Sequence, residues 1–190
     1  MEKTLVLLKP DAVQRGLVGE IISRFERAGL KIVAMKMQYA GADQAGKHYL
    51  DDEAWMKAVG EKTQKTYAAK GLKMARTPIE HGRMVREQLM DFLSMSPIIS
   101  LVIEGHNAVA HVRKITGPTS PEHAAPGTVR GDYSIDTYQL ADTSSRPLQN
   151  LIHASESVVE AKREITVWFN PDEIYVWERA DEHLLYRGLK

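Results

Sequence analysis

The chain of 190 residues contains no cysteine. Without thiols it can form no disulfide, bind no metal through thiolate and use no cysteine nucleophile. An excess of charge is also missing, because 25 Lys and Arg residues balance 25 Asp and Glu residues. The phosphate backbone of nucleic acids rewards excess positive charge, so a strongly basic, sequence-blind nucleic-acid binder is disfavoured. Nucleic acid is therefore not expected as the primary partner.

Long apolar runs and the common phosphate-binding loops are absent as well. The apolar stretch of the N-terminal M-E-K-T-L-V-L-L-K-P-D ends at Lys9 and is too short for a signal peptide. No run approaches membrane-spanning length, so we expect no membrane partner and a cytoplasmic location. Neither a G-x-x-x-x-G-K-[ST] motif nor a kinase Gly-rich loop occurs.

What is present is an ordinary globular composition, with 43% hydrophobic and 26% charged residues, and a length that fits one domain. Apolar and alternating patterns predict strands over 4–8, 31–39, 97–104 and 148–154. Helical spacing predicts helices over 16–28, 79–95 and 107–115, one that begins near Ala42 and carries Tyr49, and one capped by Ser157. This alternating order predicts an α+β sandwich with helices on one face of a four-stranded sheet.

Two segments stand apart from this pattern. Residues 51–77 are Lys-rich and contain several small residues, so we expect a helix with a solvated face that resembles an insertion. Residues 117–147 are rich in Pro, Gly, Ser and Thr and predict a long loop, which in a compact domain is usually functional or disordered. In the helix that follows Ser157, the spacing of Val158, Ala161, Ile165 and Trp168 predicts a core-facing stripe.

Polar residues suited to phosphate chemistry occur where these elements end. They are Lys9, Tyr49, Arg113, Thr119, Arg130, Asn150, His153 and Glu164. Taken singly, each of these residues can be explained as an ordinary surface or packing residue. A lone histidine in an apolar strand more often packs than reacts. Their order along the chain is what gives them weight.

Several stretches of the chain, taken in order, resemble nucleoside diphosphate kinases. They are L-L-K-P-D-A-V-Q-R-G-L-V-G-E-I-I-S-R-F-E, H-Y, S-P-I-I-S-L-V-I-E-G-H-N-A-V, R-K-I-T-G-P-T-S-P, P-G-T-V-R-G-D, N-L-I-H-A-S-E-S and E-I-T-V-W-F-N-P-D-E. The resemblance runs from about residue 3 to residue 187, except for the insertion. It implies a ferredoxin-like fold with a four-stranded antiparallel sheet, in one domain over 1–190 with insertions at 51–78 and 136–147.

The resemblance also implies a reaction, the transfer of a phosphoryl group from a nucleoside triphosphate such as ATP to a nucleoside diphosphate. In the family the group passes through a phosphohistidine in a ping-pong cycle, and His153 matches that histidine, which reacts through Nδ1. Glu164 matches the glutamate that binds the other ring nitrogen, and Ser155 matches the serine beside that glutamate. A partner of this kind fixes the tautomer and orients the ring.

The remaining site residues are assigned by the same resemblance. Arg113, Thr119 and Arg130 match groups around the phosphoryl oxygens, which Arg can grip through two donors at once. Tyr49 matches a tyrosine close to the histidine. Lys9 and Asn150 match residues that meet the sugar 3′-hydroxyl, and Lys9 also lies near the phosphates. Mg²⁺ is expected to bridge the nucleotide phosphates with few protein ligands, and the protein is expected to be a homo-oligomer.

The chain departs from the family pattern at a few positions. Ala154 follows His153 where glycine is usual, and Glu156 replaces a typical aspartate. The base-stacking aromatic is not evident, because the alignment offers Val85 or Arg86, and Arg86 could stack through its guanidinium plane.

The segment at 51–78 could be an assembly surface, a lid over the nucleotide, or neither.

Three other functions are weighed against this one. A non-enzymatic relative predicts loss of the histidine, the arginines or Glu164, and all are present. An RNA-binding module of the same topology predicts aromatics on the central strands, and residues 98–103 have none. A purely structural domain with a packed histidine gives no reason for so many phosphate-competent groups.

Overall fold

The structure is a computed structural model that describes residues 1–69, 71 and 73–187. Its sheet has four strands in the order β2-β3-β1-β4, and all neighbouring pairs are antiparallel. The strands are β1 (Glu2–Leu8), β2 (Lys31–Gln38), β3 (Ile98–Gly105) and β4 (Ile152–Ala154). The predicted α+β sandwich with an antiparallel four-stranded sheet is confirmed.

Helices follow the strands in alternation. They are α1 (Pro10–Gln14), α2 (Val18–Arg27), α3 (Ala42–His48), α4 (Glu53–Ala69), α5 (Pro78–Ser94), α6 (Ala108–Thr116), α7 (Val129–Tyr133), α8 (Tyr138–Thr143), α9 (Val158–Trp168) and α10 (Glu182–Leu185). Short 3₁₀ turns occupy Pro121–His123 and Pro171–Glu173. Within the described ranges no helix is both long enough and apolar enough to cross a bilayer.

The expectation that helices cover one face of the sheet is wrong, because both faces are covered. Val6 and Leu8 of β1 point into one core, which α2 and α6 close. Leu5 and Leu7 point into a second core, which α9 closes with Trp168. A strand buried on both faces has a continuous apolar run instead of an alternating one, and T-L-V-L-L already had that property.

The predicted loop over 117–147 contains two helices, so the expectation of a structureless loop is wrong. Thr128 caps α7 by accepting a hydrogen bond from the Gly131 amide, and Thr137 caps α8 by accepting one from Leu140. Both caps satisfy backbone donors that a helix start leaves free. Such short helices depend on caps and tertiary contacts, which the high content of turn-forming residues masks in the sequence.

Smaller differences concern element ends. Pro10 does not only stop β1, because it opens α1, where its fixed φ suits a first helical position. Ser157 does cap α9 by accepting from the Glu160 amide at 3.2 Å. The Glu160 carboxylate bonds Arg163 instead of completing the capping box. Val158 is exposed, so it does not belong to the core-facing stripe.

The Lys-rich segment forms the helix α4, which confirms the predicted helix there; residues 70 and 72 of that segment lie outside the described part. Helix α4 packs closely on α5. A Cβ added at Gly60 of α4 would collide with the backbone of Pro78 in α5, and one added at Gly82 of α5 would collide with the backbone of Met56 in α4. The Tyr67 hydroxyl also donates to Asp142 of α8 at 3.1 Å. The interpretation of 51–78 and 136–147 as insertions within one domain over 1–190 stays a prediction.

Candidate active site

The predicted site residues come together mainly because β1 and β4 pair side by side. Leu7 of β1 lies opposite His153 of β4, and the Lys9 amide donates to the Leu151 carbonyl at 2.8 Å. The end of β1 and the residues that precede β4 therefore share one edge of the sheet. This pairing brings together residues that are 141 positions apart in the chain, such as Lys9 and Asn150.

His153 is held by Glu164 and Ser155. Its Nε2 lies 3.0 Å from each carboxylate oxygen of Glu164. The Ser155 hydroxyl donates to Glu164 Oε2 at 2.6 Å and accepts from the Leu5 amide at 3.2 Å. Burial alone would raise the pKa of Glu164, but its bonds to His153 and Ser155 lower it below its ordinary value. The carboxylate therefore stays ionised and keeps a proton on Nε2, which leaves the lone pair on Nδ1.

A second histidine, His48, lies against this pair and was missed in the sequence. Its ring is perpendicular to that of His153, with centroids 4.4 Å apart. The Trp168 indole donates to His48 Nδ1 at 3.3 Å, and the same nitrogen lies 3.9 Å from Glu164. The only available signal was its place beside Tyr49 in the H-Y of the family resemblance.

His48, His153 and Glu164 form the one group of His, Asp and Glu residues in the described ranges that could hold a metal. Their bonding argues against that use. The lone pair of His48 Nδ1 already accepts from Trp168. His153 Nε2 and Glu164 are bonded to each other. The group is better explained as a support for His153 than as a metal centre.

Lys9 and Asn150 lie together at this edge of the sheet and are bonded to each other. Lys9 is 6% exposed, and its ammonium donates to Asn150 Oδ1 at 2.9 Å. Asn150 in turn donates through Nδ2 to the Thr119 carbonyl at 2.7 Å. Burial, helped by the charge of Arg130 and opposed by that of Asp11, lowers the pKa of Lys9 to about 8. At neutral pH the Lys9 ammonium is therefore still mostly protonated, and a nearby anionic ligand would raise its pKa again.

The chain just before the histidine is bent. Leu151 has a positive φ of 70°, which is unusual for a bulky side chain. The Ile152 amide donates to the Asn150 carbonyl at 2.8 Å, a three-residue turn. The Leu151 amide is held by Asp11 Oδ2 at 2.9 Å, so Asp11 is a further site residue that the sequence reasoning missed. Its signal was the K-P-D that follows β1.

Arg130 is buried and braces the backbone around it. Its guanidinium donates to the carbonyls of Gly117 at 2.8 Å, Asn150 at 3.2 Å and Ile152 at 2.6 Å. Burial and the charge of nearby Arg113 lower its pKa to about 10. Further N–H groups of the guanidinium stay available to a ligand.

The other predicted residues lie around this centre. Arg113, in the last turn of α6, and Thr119 are exposed. The Tyr49 ring lies 4.8 Å from that of His48, and burial with the charges of Glu164 and Asp11 raises its pKa. Arg86 is half-buried and donates through Nε to the carbonyls of Tyr49 and Leu50 at 2.8 and 3.1 Å. Its contact with a base stays a prediction.

Comparison with known proteins agrees with this geometry. The family described as nucleoside diphosphate kinase matches residues 2–174. A nucleoside diphosphate kinase of Pyrobaculum aerophilum is 49% identical over 179 residues, which cover 92% of this chain and 98% of that protein. The crystal structure of an NDP kinase from Pyrobaculum aerophilum has a TM-score of 0.89 and 47% identity, over 92% of this chain and 99% of that one.

A further solved structure is a transition-state mimic of the nucleoside-diphosphate kinase from Borrelia burgdorferi, with bound vanadate and ADP. It has a TM-score of 0.81 and 38% identity, over 96% of this chain and 95% of that one. The chain belongs to the nucleoside diphosphate kinase family. The resemblance drawn from the sequence and the predicted kinase activity are confirmed.

Proposed function

We propose that His153 carries the phosphoryl group between the two nucleotides. The observation that supports this role is the bond of Nε2 to Glu164, which leaves Nδ1 as the nucleophilic nitrogen. Nδ1 attacks the terminal phosphorus of a nucleoside triphosphate, the bond to the bridging oxygen breaks, and the nucleoside diphosphate leaves. The positive charge that develops on the ring is stabilised by the Glu164 carboxylate. The reverse sequence then delivers the group to a second nucleoside diphosphate.

The cations around this nitrogen stabilise the group in transfer. A phosphoryl group in transfer spreads negative charge over its outer oxygens, so catalysis depends on positioned cations and donors. Exposed Arg113, with Arg130 beside it, supplies guanidinium donors, and Thr119 supplies a hydroxyl. Lys9 and Asn150, already bonded to each other at 2.9 Å, would meet the sugar 3′-hydroxyl as a pair. Tyr49 closes the site on the side of His48.

A divalent metal is usual for enzymes of this family, and we propose Mg²⁺. The residues fit an ion that arrives on the nucleotide, because in the one potential metal group in the described part of the chain His48 Nδ1 is bonded to Trp168, and His153 Nε2 and Glu164 are bonded to each other. No protein ligand is therefore assigned. Mg²⁺ bound to the phosphates would neutralise charge on the leaving diphosphate.

Phosphoryl transfer through His153 is tested by labelling. The protein is incubated with labelled ATP and Mg²⁺, free nucleotide is removed, and GDP is added. We expect acid-labile, base-stable label on the protein that moves to GDP, and none in His153→Ala. Persistent label in His153→Ala, or no label on the wild type, would refute this role for His153.

We also propose that the protein is a cytoplasmic homo-oligomer. The edge strand β2 exposes Met35 and Met37 by 59% and 62%, and Tyr39, directly after the strand, is 67% exposed. Exposed apolar rows on edge strands favour association. Light scattering on the wild type and on Met37→Lys should show a larger species in the former. A wild type that is monomeric at all concentrations would refute the homo-oligomer. The cytoplasmic location is tested separately, by cell fractionation.

A further inference from the structure

We propose that His48 is a positioning residue for phosphoryl transfer: a neutral imidazole, anchored by Trp168, whose ring keeps the His153 ring from swinging. The inference rests on the proposed role of His153. His48 is 4% exposed and cannot be reached by a nucleotide directly, so it acts through His153.

The anchor sets the tautomer of His48. An indole N–H can only donate, so at 3.3 Å from Trp168 Nε1 the nitrogen Nδ1 of His48 must carry the lone pair. The proton of a neutral ring then lies on Nε2, which is buried and has no hydrogen-bond partner among the described residues. Trp168 is 1% exposed and belongs to the core under β1. The ring of His48 is thereby bonded to a side chain that is packed in the core.

The contact between the His48 and His153 rings adds a restraint on ring rotation that the hydrogen bond to Glu164 alone does not provide. The hydrogen bond at Nε2 restrains one atom of the ring and can bend, so the ring keeps some freedom to rotate about its Cβ–Cγ bond. The His48 ring stands at 85° to the His153 ring with centroids 4.4 Å apart. Because interiors are close-packed, the His153 ring cannot turn without displacing His48. Together the two contacts leave Nδ1 pointing in one direction.

The neutral state of His48 protects the bond between His153 and Glu164. Burial, followed by electrostatic interaction with His153, Arg163 and Lys9, holds the pKa of His48 well below its ordinary range. A cationic His48 would lose its bond from Trp168 and pair with Glu164, which is 3.9 Å away. That pairing would draw the carboxylate from the nucleophile. Keeping His48 neutral reserves Glu164 for His153.

The test separates ring contact from folding. His48→Gln removes the ring but keeps an acceptor for Trp168, whereas His48→Phe keeps a ring and loses the acceptor. We expect His48→Gln to lower the rate constant of His153 phosphorylation about tenfold or more, with nucleotide Kd within about twofold. His48→Phe should lose more stability than His48→Gln but less of the rate. The matched control is His81→Gln, since His81 is also buried but lies in α5.

A merely structural His48 predicts that the rate falls in step with stability in all three variants. That pattern, or a folded His48→Gln with the wild-type phosphorylation rate, would overturn the proposal. If the variants do not fold, ¹⁵N NMR of the wild type decides. We expect His48 neutral with its proton on Nε2, and a His48 protonated at Nδ1 at neutral pH would refute the idea. The labelling of wild type and His153→Ala tests the nucleophile separately.

Discussion

The two sides of the site are held together differently. Around His153, side chains contact other side chains: Ser155 donates to Glu164, and the His48 ring lies against the ring of His153. Around Arg130, a side chain holds the backbone, with bonds to carbonyls on both sides of the site. In the proposed function, the first arrangement sets the direction of one nitrogen, Nδ1 of His153. The second keeps the strand and the preceding loop in register.

This difference predicts different consequences of mutation. Changes on the nucleophile side should reduce the rate and spare the fold. Changes at Arg130 should mainly reduce stability, because they leave buried backbone carbonyls without a hydrogen-bond donor. An active site is thus made of parts that do chemistry and parts that hold the chain, and kinetics and unfolding can tell them apart.

The sharpest test of the nucleophile side is Glu164→Ala. Loss of the carboxylate removes both the orientation of His153 and the stabilisation of its developing charge. We expect kcat to fall by about 10²–10³-fold with little change in KM, the range seen when one preorganised electrostatic partner is removed. Glu164→Gln keeps an acceptor for Nε2 and should lose less. Equal, wild-type-like kcat in both variants would contradict the role of Glu164.

The backbone side is tested by Arg130→Lys. Lysine keeps the charge but cannot reach the carbonyls of Gly117, Asn150 and Ile152 at once. Each buried carbonyl left without a donor costs about 1–3 kcal/mol, so the free energy of unfolding should fall by at least about 2 kcal/mol. Urea unfolding measures it. Arg113→Lys is the matched control and should change stability by less than about 0.5 kcal/mol, because Arg113 is exposed. Similar free energies of unfolding in Arg130→Lys and Arg113→Lys would contradict the view that Arg130 holds the backbone together.

The sequence predicted the parts of the molecule that depend on local pattern. Long periodic segments became the expected strands and helices, and the Ser157 cap formed. Motif matches picked residues that the fold brings to one sheet edge, such as Lys9, Asn150 and His153. The spacing of each motif reflects a local turn or strand end, which is why it could be recognised without the structure.

The parts that were missed depend on tertiary contacts. His48 looks like any buried histidine until Trp168 and His153 are placed beside it. Asp11 has a role only because β4 returns next to β1 and offers the Leu151 amide. The helices of residues 117–147 are too short for periodicity to reveal. The first two misses are contacts between distant parts of the chain, and the third comes from the shortness of the helices.

The third prediction concerns the titration of Lys9, which should change stability and kcat/KM for nucleotide in opposite directions as pH rises. Its pKa is lowered from 10.5 to about 8 in the folded protein, mainly by burial. Between these values the unfolded chain binds the proton and the folded one does not, so stability should rise with pH from about 8 to about 10.5. Over the same range the ammonium is lost, so kcat/KM for nucleotide should fall by up to about tenfold per pH unit.

Lys9→Met removes this titration and is the control. The difference between wild type and variant isolates Lys9 from other groups that titrate in the same window. Urea unfolding and steady-state kinetics at each pH give the two curves. A difference in stability that is flat across the window, or that falls as pH rises, would contradict the lowered pKa.

The smallest expected effect concerns the link between α4 and α8, outside both sides of the site. The Tyr67 hydroxyl donates to Asp142 at 3.1 Å, and the charge of Asp142 helps to raise the pKa of Tyr67, after burial and the hydrogen bond itself. A double-mutant cycle with Tyr67→Phe and Asp142→Asn should give a coupling of about 0.5 kcal/mol in the free energy of unfolding, as for other exposed pairs. Nucleotide KM should stay unchanged if the segment only packs. A rise in KM in both single variants would instead indicate that α4 and α8 form a lid over the nucleotide, one of the roles left open for the 51–78 segment.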